Sequence, residues 1–300
     1  NEIISTFIRN ADTGKNPGAY VAEPKRGFKK NIVSFDANSL YPNVMISLNT
    51  SPETKVGKIE RTTDKNVTIQ HVTGKLFELT KPDFVKFLKN EQCSISKAGF
   101  LFSQKKKGII PEFLEYYYNK RVDIKKKLFK TKQKLKKDPS NLDLKYEVER
   151  LNTSQMVIKI LINSCYGYMG NKNAPIGDDD IASSVTLTGQ AVIKYSNELI
   201  KEFIKKEVPD ISDRELEECI VYNDTDSSYV SITPLVDKGL NFFNGSDIHI
   251  DTHNKIQEIE DYLNEGVHDW AKKSLLSSDS RFVFKRECIA DVGVFLQKNR

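Results

Sequence analysis

Two acids two positions apart, Asp224 and Asp226, sit in the run Tyr222-Asn-Asp-Thr-Asp-Ser227 between two apolar stretches, Cys219–Asn223 and Ser228–Ile232. Read as a hairpin of buried strands, this run holds both carboxylates rigidly at its tip. Two carboxylates about 4 Å apart repel by roughly 4 kcal/mol at an effective dielectric of about 20, and a hard, oxygen-seeking divalent cation is the natural offset. A further acid, Asp36, ends the β-rich run Ile32-Val-Ser-Phe35, after which the chain turns around Asn38 and Pro42. The turn leaves main-chain N–H groups near Ser39 and Leu40 facing an anion. Should Asp36 lie beside the hairpin acids, three carboxylates could hold two Mg²⁺ ions, an arrangement suited to in-line attack at phosphorus.

A third piece is Lys159-Ile-Leu-Ile-Asn-Ser-Cys-Tyr-Gly167, where Lys159, Asn163 and Tyr166 fall on one side of a helix. A cation, an amide and an aromatic in a row could grip a triphosphate and lie against a base pair. Arg121 and Lys125 form a second cationic stripe one helical turn apart. Taken singly, each of these stripes reads as an ordinary helix surface rather than a binding site.

Two long helices must carry those stripes. One is expected from Pro111 to about Lys137 and the other from Leu142 to Cys165, with Asp138-Pro139-Ser140-Asn141 stopping the first. Each arm would reach roughly 35–40 Å, and together they form a protruding antiparallel hairpin. Met156, Val157, Leu161 and Ile162 give its second arm an apolar side. Gly167–Gly177 reads as a loop, Asp180 to Lys206 as a helix, and Thr252 to Leu275 as the last helix. Two closing strands are expected near Phe282–Ile289 and Val292–Leu296, and Asp178-Asp179-Asp180 reads as a helix cap rather than a metal cluster.

Charge is unevenly spread over the 300 residues. Net charge is only +5, yet residues 97–150 hold 16 Lys and Arg against 7 Asp and Glu, and residues 201–270 hold 6 against 17. The asymmetry fits a polyanion-facing element on an acidic body, or a solvated basic helix. Apolar residues at 38% and charged residues at 29% describe a globular chain. No apolar run approaches the 18 or so residues of a membrane-spanning helix, so no membrane partner is expected. The four cysteines form no CxxC pair, which argues against a zinc ribbon and fits a reducing cytoplasm. His249 and His253 have helical spacing but lack the Glu of HExxH.

Ser34-Phe-Asp-Ala-Asn-Ser-Leu-Tyr-Pro42, Lys159–Gly167 and Tyr222–Ser227 resemble, in this order, motifs A, B and C of family B DNA-directed DNA polymerases. The run Met45-Ile-Ser-Leu-Asn-Thr-Ser-Pro-Glu-Thr54 looks most like the T-even bacteriophage branch, and the resemblance extends from Pro17-Gly-Ala-Tyr20 to Lys285-Arg-Glu-Cys-Ile-Ala290. It implies an α+β fold: a palm of antiparallel sheet and packed helices, with a protruding two-helix fingers hairpin. Residues 1–107 would form the N-terminal part of the palm, 108–168 the fingers, and 169–300 the remainder of the palm, truncated before the thumb.

The same resemblance implies site residues. Asp36 and Asp226 would be the principal ligands of two Mg²⁺ ions, with Asp224 alongside and Glu287 near the metals. Ser39 and Leu40 would offer N–H groups to the triphosphate, and Tyr41 would exclude a 2′-hydroxyl. Arg121, Lys159 and Lys125 would bind phosphates, Asn163, Tyr166 and Gly167 would border the nascent base pair, and Lys298 would begin a primer-contact motif. Asn223 stands where the family usually has Gly, and as a residue tolerant of left-handed backbone it is expected to preserve the turn. The activity implied is dNTP-dependent, template-directed DNA synthesis in the cytoplasm of a bacterial host. Primer–template DNA, dNTP, separate exonuclease and thumb segments and a sliding clamp are the partners implied. The rival reading is a non-catalytic nucleic-acid-binding piece of a split or truncated polymerase that needs other segments in trans.

Overall fold

A computed structural model describes residues 18–171, 173–244 and 247–297. It is an α+β structure with antiparallel sheets, and it divides into two compact units. The first unit comprises residues 1–44, 95–99 and 183–300, and the second residues 45–94 and 100–182.

The first unit is built on a four-stranded sheet. β1 (Gly27–Ala37) lies between β8 (Ser227–Ser231) and β9 (Phe284–Phe295), and β7 (Ile220–Asp224) pairs with the far side of β8. Alternation sorts the side chains. Val33, Phe35, Val221, Asn223, Ser228 and Val230 are buried on one face, while Asp36, Tyr222, Ser227 and Tyr229 are only half-buried on the other. The buried face is held by two helices, α5 (Asp179–Glu207) and α8 (Ile250–Trp270). Asn264 of α8 clasps the backbone of β9, donating to the Phe284 carbonyl at 3.0 Å and accepting its N–H at 2.7 Å. Gly266 lets α8 approach α5, since a Cβ there would meet Leu199 Cδ1 at 2.6 Å.

Two sequence expectations change in this unit, and one element is added. The closing segment is one strand paired with β1 along its length rather than two, because Asp291 is tolerated on a solvent-facing edge. The chain after Asp36 does not simply turn: helix α1 (Leu40–Leu48) starts at once, with Pro42 in its first turn, where a missing N–H is harmless. A short helix, α6 (Asp213–Cys219), precedes β7 and is fixed by a capping box between Ser212 and Glu215.

The second unit holds a sheet of β2 (Lys55–Thr62), β3 (Asn66–His71), β4 (Leu76–Thr80), β5 (Cys93–Ile95) and β6 (Phe100–Ser103), in the order β4-β3-β2-β6-β5. Helix α2 (Lys81–Glu91) starts from a Thr80 cap with Pro82 in its first turn, where a proline is expected. Two long helices follow, α3 (Ile109–Lys137) and α4 (Leu142–Met169), each about 42 Å long at 1.5 Å per residue. Leu114 and Leu128 on α3 and Leu151, Ile158 and Ile162 on α4 are buried at heptad-like steps, the pattern of two helices packed along a shared seam. Met156, Val157 and Leu161, expected as an apolar side, are exposed between 39% and 59%, because the seam follows Ile158 and Ile162 instead.

Helix α4 also runs through Gly167 to Met169, overriding the loop expected there. Asp178 acts as a cap, its Oδ1 accepting the N–H groups of Asp180 and Ile181 at 2.9 and 3.2 Å. Lys55 Nζ bonds Asp178 and Asp180 at 2.7 and 3.0 Å, which offsets part of the triplet's negative charge. Among the described residues no helix is long and apolar enough to cross a membrane.

Candidate active site

The first unit brings Asp36 and Asp226 together. Asp36 is in register with Ser227 across β1 and β8, and the Ala37 N–H donates to the Asp226 carbonyl at 2.8 Å. Both acids are half-buried. The turn joining β7 to β8 closes tightly: Thr225 takes φ +57°, and the Asp226 N–H bonds back to the Asp224 carbonyl at 2.6 Å. Residues 20–25 run along the outside of β7 and pin this turn, the Thr225 N–H donating to the Tyr20 carbonyl at 3.0 Å.

Asp224 shares the turn with Asp226, and Glu287 lies on β9, two residues beyond Lys285, the partner of Asp36. Asp224 shares a row with Asp36 but lies two strands away, roughly 10 Å at the usual strand spacing. It is exposed, and its Oδ1 accepts the Thr225 hydroxyl at 3.2 Å. Glu287 is the extra residue of a β-bulge, since Ser34 pairs with Cys288 and Phe35 with Arg286. Its charge and that of Asp224 both reach Tyr229, whose hydroxyl pKa is raised first by burial and then by these two carboxylates. Among the described residues no three His, Cys, Asp or Glu side chains gather closely enough to hold a metal ion. Of the three carboxylates expected from the sequence, Asp36 and Asp226 occupy adjacent backbone positions. Two hard oxygen donors still fit Mg²⁺, which commonly takes one or two carboxylates and completes its shell with water and substrate phosphates.

Beside Asp36, Ser39 adopts φ +49°, a strained conformation for a residue other than glycine, and delivers the chain into α1. Asn43 locks this entry, bonding the Asn38 carbonyl through Nδ2 at 2.7 Å and the Ser39 carbonyl through its N–H at 3.0 Å. A helix start has N–H groups with no carbonyl one turn back, so the entry at Ser39 and Leu40 has anion-binding polarity. Tyr41 rests against α5 at Gly189, where an added Cβ would stand 3.1 Å from Tyr41 Cε1 and 3.4 Å from Leu40 Cδ2. Sequence reading missed Gly189, although a glycine inside a helical pattern is the available signal for such a close approach.

Asn223 corrects another expectation. It is not a turn residue: it lies in β7, 1% exposed, and the left-handed backbone falls on Thr225. Its side chain reaches back to Asn197 on α5 and to the Ser228 hydroxyl at 2.7 Å.

In the second unit, Arg121 lies inside the α3/α4 seam, its Nε donating to Gln155 Oε1 at 3.3 Å, and burial pulls its pKa down. Lys125, Lys159 and Asn163 are exposed, Tyr166 is half-buried with its hydroxyl pKa raised by burial, and Gly167 is exposed within α4. Lys298 lies outside the described residues. The two histidines have local roles: His249 Nδ1 caps α8 by accepting the Asp251 N–H at 3.1 Å, and His253 Nδ1 lies 2.9 Å from Arg286 Nη1.

A sequence model of DNA polymerase family B matches residues 2–241. The DNA-directed DNA polymerase of Enterobacteria phage T4 is 28% identical over 306 residues, covering 84% of this chain and 32% of the relative. That of Escherichia phage RB69 is 28% identical over 250 residues, 74% of this chain and 27% of the relative. A DNA polymerase of Pyrococcus glycovorans is 31% identical over 215 residues, 72% and 21% respectively. The chain thus spans about a third or less of the length of these relatives.

Proposed function

The chain belongs to DNA polymerase family B, and from that membership we propose that it is the palm and fingers portion of a template-directed DNA polymerase. Its reaction joins a dNTP to a primer 3′-hydroxyl and releases pyrophosphate. The observation that best supports this reading is the backbone adjacency of Asp36 and Asp226: Asp36 pairs with Ser227 across adjacent strands, and the Ala37 N–H donates to the Asp226 carbonyl. Residues 1–107 and 169–300 are read as palm and 108–168 as fingers.

Asp36 and Asp226 are the residues to hold two divalent cations, taken as Mg²⁺, which when bound would lower the pKa of the primer hydroxyl and neutralise charge on the phosphates. Asp224 and Glu287 add negative potential at the periphery of that pair. The chain's own contribution is positioning and fixed electrostatics, the main sources of catalysis in phosphoryl transfer. Ser39 and Leu40 present main-chain N–H groups to the triphosphate. Tyr41, backed by α5 at Gly189, fills the space a 2′-hydroxyl would need. Arg121, Lys125 and Lys159 bind phosphates, with Arg121 oriented by Gln155. Asn163, Tyr166 and Gly167 border the new base pair, and Lys298 contacts the primer strand.

Primer–template DNA and dNTP are the substrates of this reading, with exonuclease and thumb segments and a sliding clamp as further partners. The phage relatives support action in the cytoplasm of a bacterial host. Extension of a labelled primer on DNA and on RNA templates, by this chain alone and with the remaining segments added, tests the proposal. DNA-templated extension in either format supports it. Strand binding with no extension in both formats favours a non-catalytic nucleic-acid-binding piece, and preference for the RNA template contradicts the assignment.

A further inference from the structure

The α3/α4 hairpin has two unlike edges. The Arg121–Gln155 bond sets the register of the antiparallel pair. Counting outward from it along both helices places Lys127 across from Glu147 on one edge, and Lys132 across from Lys145 on the other. The first edge is charge-compensated: the Glu147 carboxyl pKa is lowered chiefly by its Arg150 hydrogen bond, with Lys127 contributing. On the second edge Lys159, Asn152 and Lys145 follow one another along α4 opposite Lys125 and Lys132 of α3, with no carboxylate among them.

Lys132 and Lys145 are both exposed, and among the described residues no ion pair joins either to a carboxylate, while nearby Asp123 pairs with Lys126 and Glu147 with Arg150. Like charges facing each other along a helix–helix edge are destabilising. An anion between them reverses the sign of that interaction. From Lys159 to Lys145 the row covers about 21 Å at 1.5 Å per residue. That is longer than one triphosphate at its Lys159 end can occupy, and the outer part, at Lys132 and Lys145, suits a polymer with a phosphate every few ångströms, about 3.4 Å per strand in a duplex. Tyr146, 70% exposed beside Lys145, adds a flat surface on which an unpaired base can stack.

We propose that the Lys132–Lys145 edge holds the phosphate backbone of single-stranded DNA, outward of the residues assigned to dNTP. This rests on reading the chain as a nucleic-acid enzyme. The test is anisotropy of a labelled oligothymidylate and of a blunt duplex across a salt series, for the parent chain, K132Q/K145Q and K132E. For the double variant we expect single-strand affinity to fall about tenfold at low salt, and the log–log salt slope to become shallower by about 1.4, two contacts at about 0.7 each. Duplex affinity should change less than twofold. Thermal melting should show both variants at least as stable as the parent, because the repulsion is relieved, so a binding loss cannot be ascribed to unfolding. An unchanged slope, an equal loss on duplex and single strand, or a lower melting temperature in both variants overturns the proposal. If the parent binds neither DNA form, the proposed function fails with it; if the parent extends primers while the variant slope is unchanged, this inference alone fails.

Discussion

Asn197 and Asn223 exchange side-chain hydrogen bonds, each Nδ2 donating to the other's Oδ1, at 2.9 and 3.2 Å. The Ser228 hydroxyl joins them, donating to Asn197 Oδ1 at 3.0 Å. This closed polar cluster ties α5 to both strands of the hairpin that carries Asp224 and Asp226, from the buried side of the sheet. Removing either Asn deprives the other's buried amide of both bonds the two amides exchange, leaving only its bond with Ser228 in the cluster.

Asn197→Ala or Asn223→Ala should therefore each destabilise the chain by about 1–3 kcal/mol. Asn223→Gly, the residue usual in the family, should cost similarly here because Asn197 remains. The double alanine variant should cost less than the sum of the singles, since neither amide is then left without the other. A denaturant double-mutant cycle checks this, and strict additivity would remove the cluster from its structural role.

Tyr41 packs against Gly189 of α5, so the proposed role of Tyr41 in sugar selection would depend on that helix backbone. Tyr41→Ala should raise rNTP incorporation relative to dNTP. Gly189→Ala should move the same ratio while changing stability by no more than about 1 kcal/mol, because only the tyrosine ring must shift. Competition between dATP and ATP in primer extension reads the ratio, and an unaltered value in both variants would free Tyr41 of that task.

Lys97 has an unfavourable position. Burial lowers its pKa from 10.5 to about 8, partly compensated by the Trp270 ring 5.2 Å from its Nζ. Below pH 8 it is charged in both folded and unfolded states, and the full burial penalty is present. Between about pH 8 and 10.5 the unfolded chain binds more protons, so stability attributable to this group rises with pH. Lys97→Met should stabilise the protein at pH 7 by on the order of 1–3 kcal/mol, with the gain shrinking toward pH 10.5. Urea titrations at pH 7 and 10 check the sign.

The four thiols should differ in reactivity. Burial pushes Cys93 up to about 12 and Cys219 up to about 11, and it also raises Cys165, whereas Cys288 is exposed. Since the thiolate is the nucleophile, iodoacetamide at pH 8 should modify Cys288 first and spare Cys93 and Cys219 in the folded chain. Peptide mass mapping after partial labelling gives the order.

Local chemistry made the long helices legible. Pro139 and the Asn141 cap, whose Oδ1 accepts the Leu144 N–H at 3.0 Å, mark the break between α3 and α4. The acids at the tip of β7/β8 were legible as a hairpin because apolar strands flank them. What escaped depends on partners distant in sequence. Asn223 resembles a turn residue until Asn197 is brought beside it, and Asp291 resembles a strand break until β1 pairs through it. The separation of Asp224 from Asp36 follows from strand order, which spacing along the chain does not encode.

The proposed joint role of the adjacent Asp36 and Asp226 is the central claim, and Asp226→Ala measures it most directly. In single-turnover primer extension with saturating dNTP and Mg²⁺, using the enzyme with its remaining segments present, the variant should bind primer–template DNA as the parent does and add no nucleotide. Near-normal extension by Asp226→Ala would contradict the assignment.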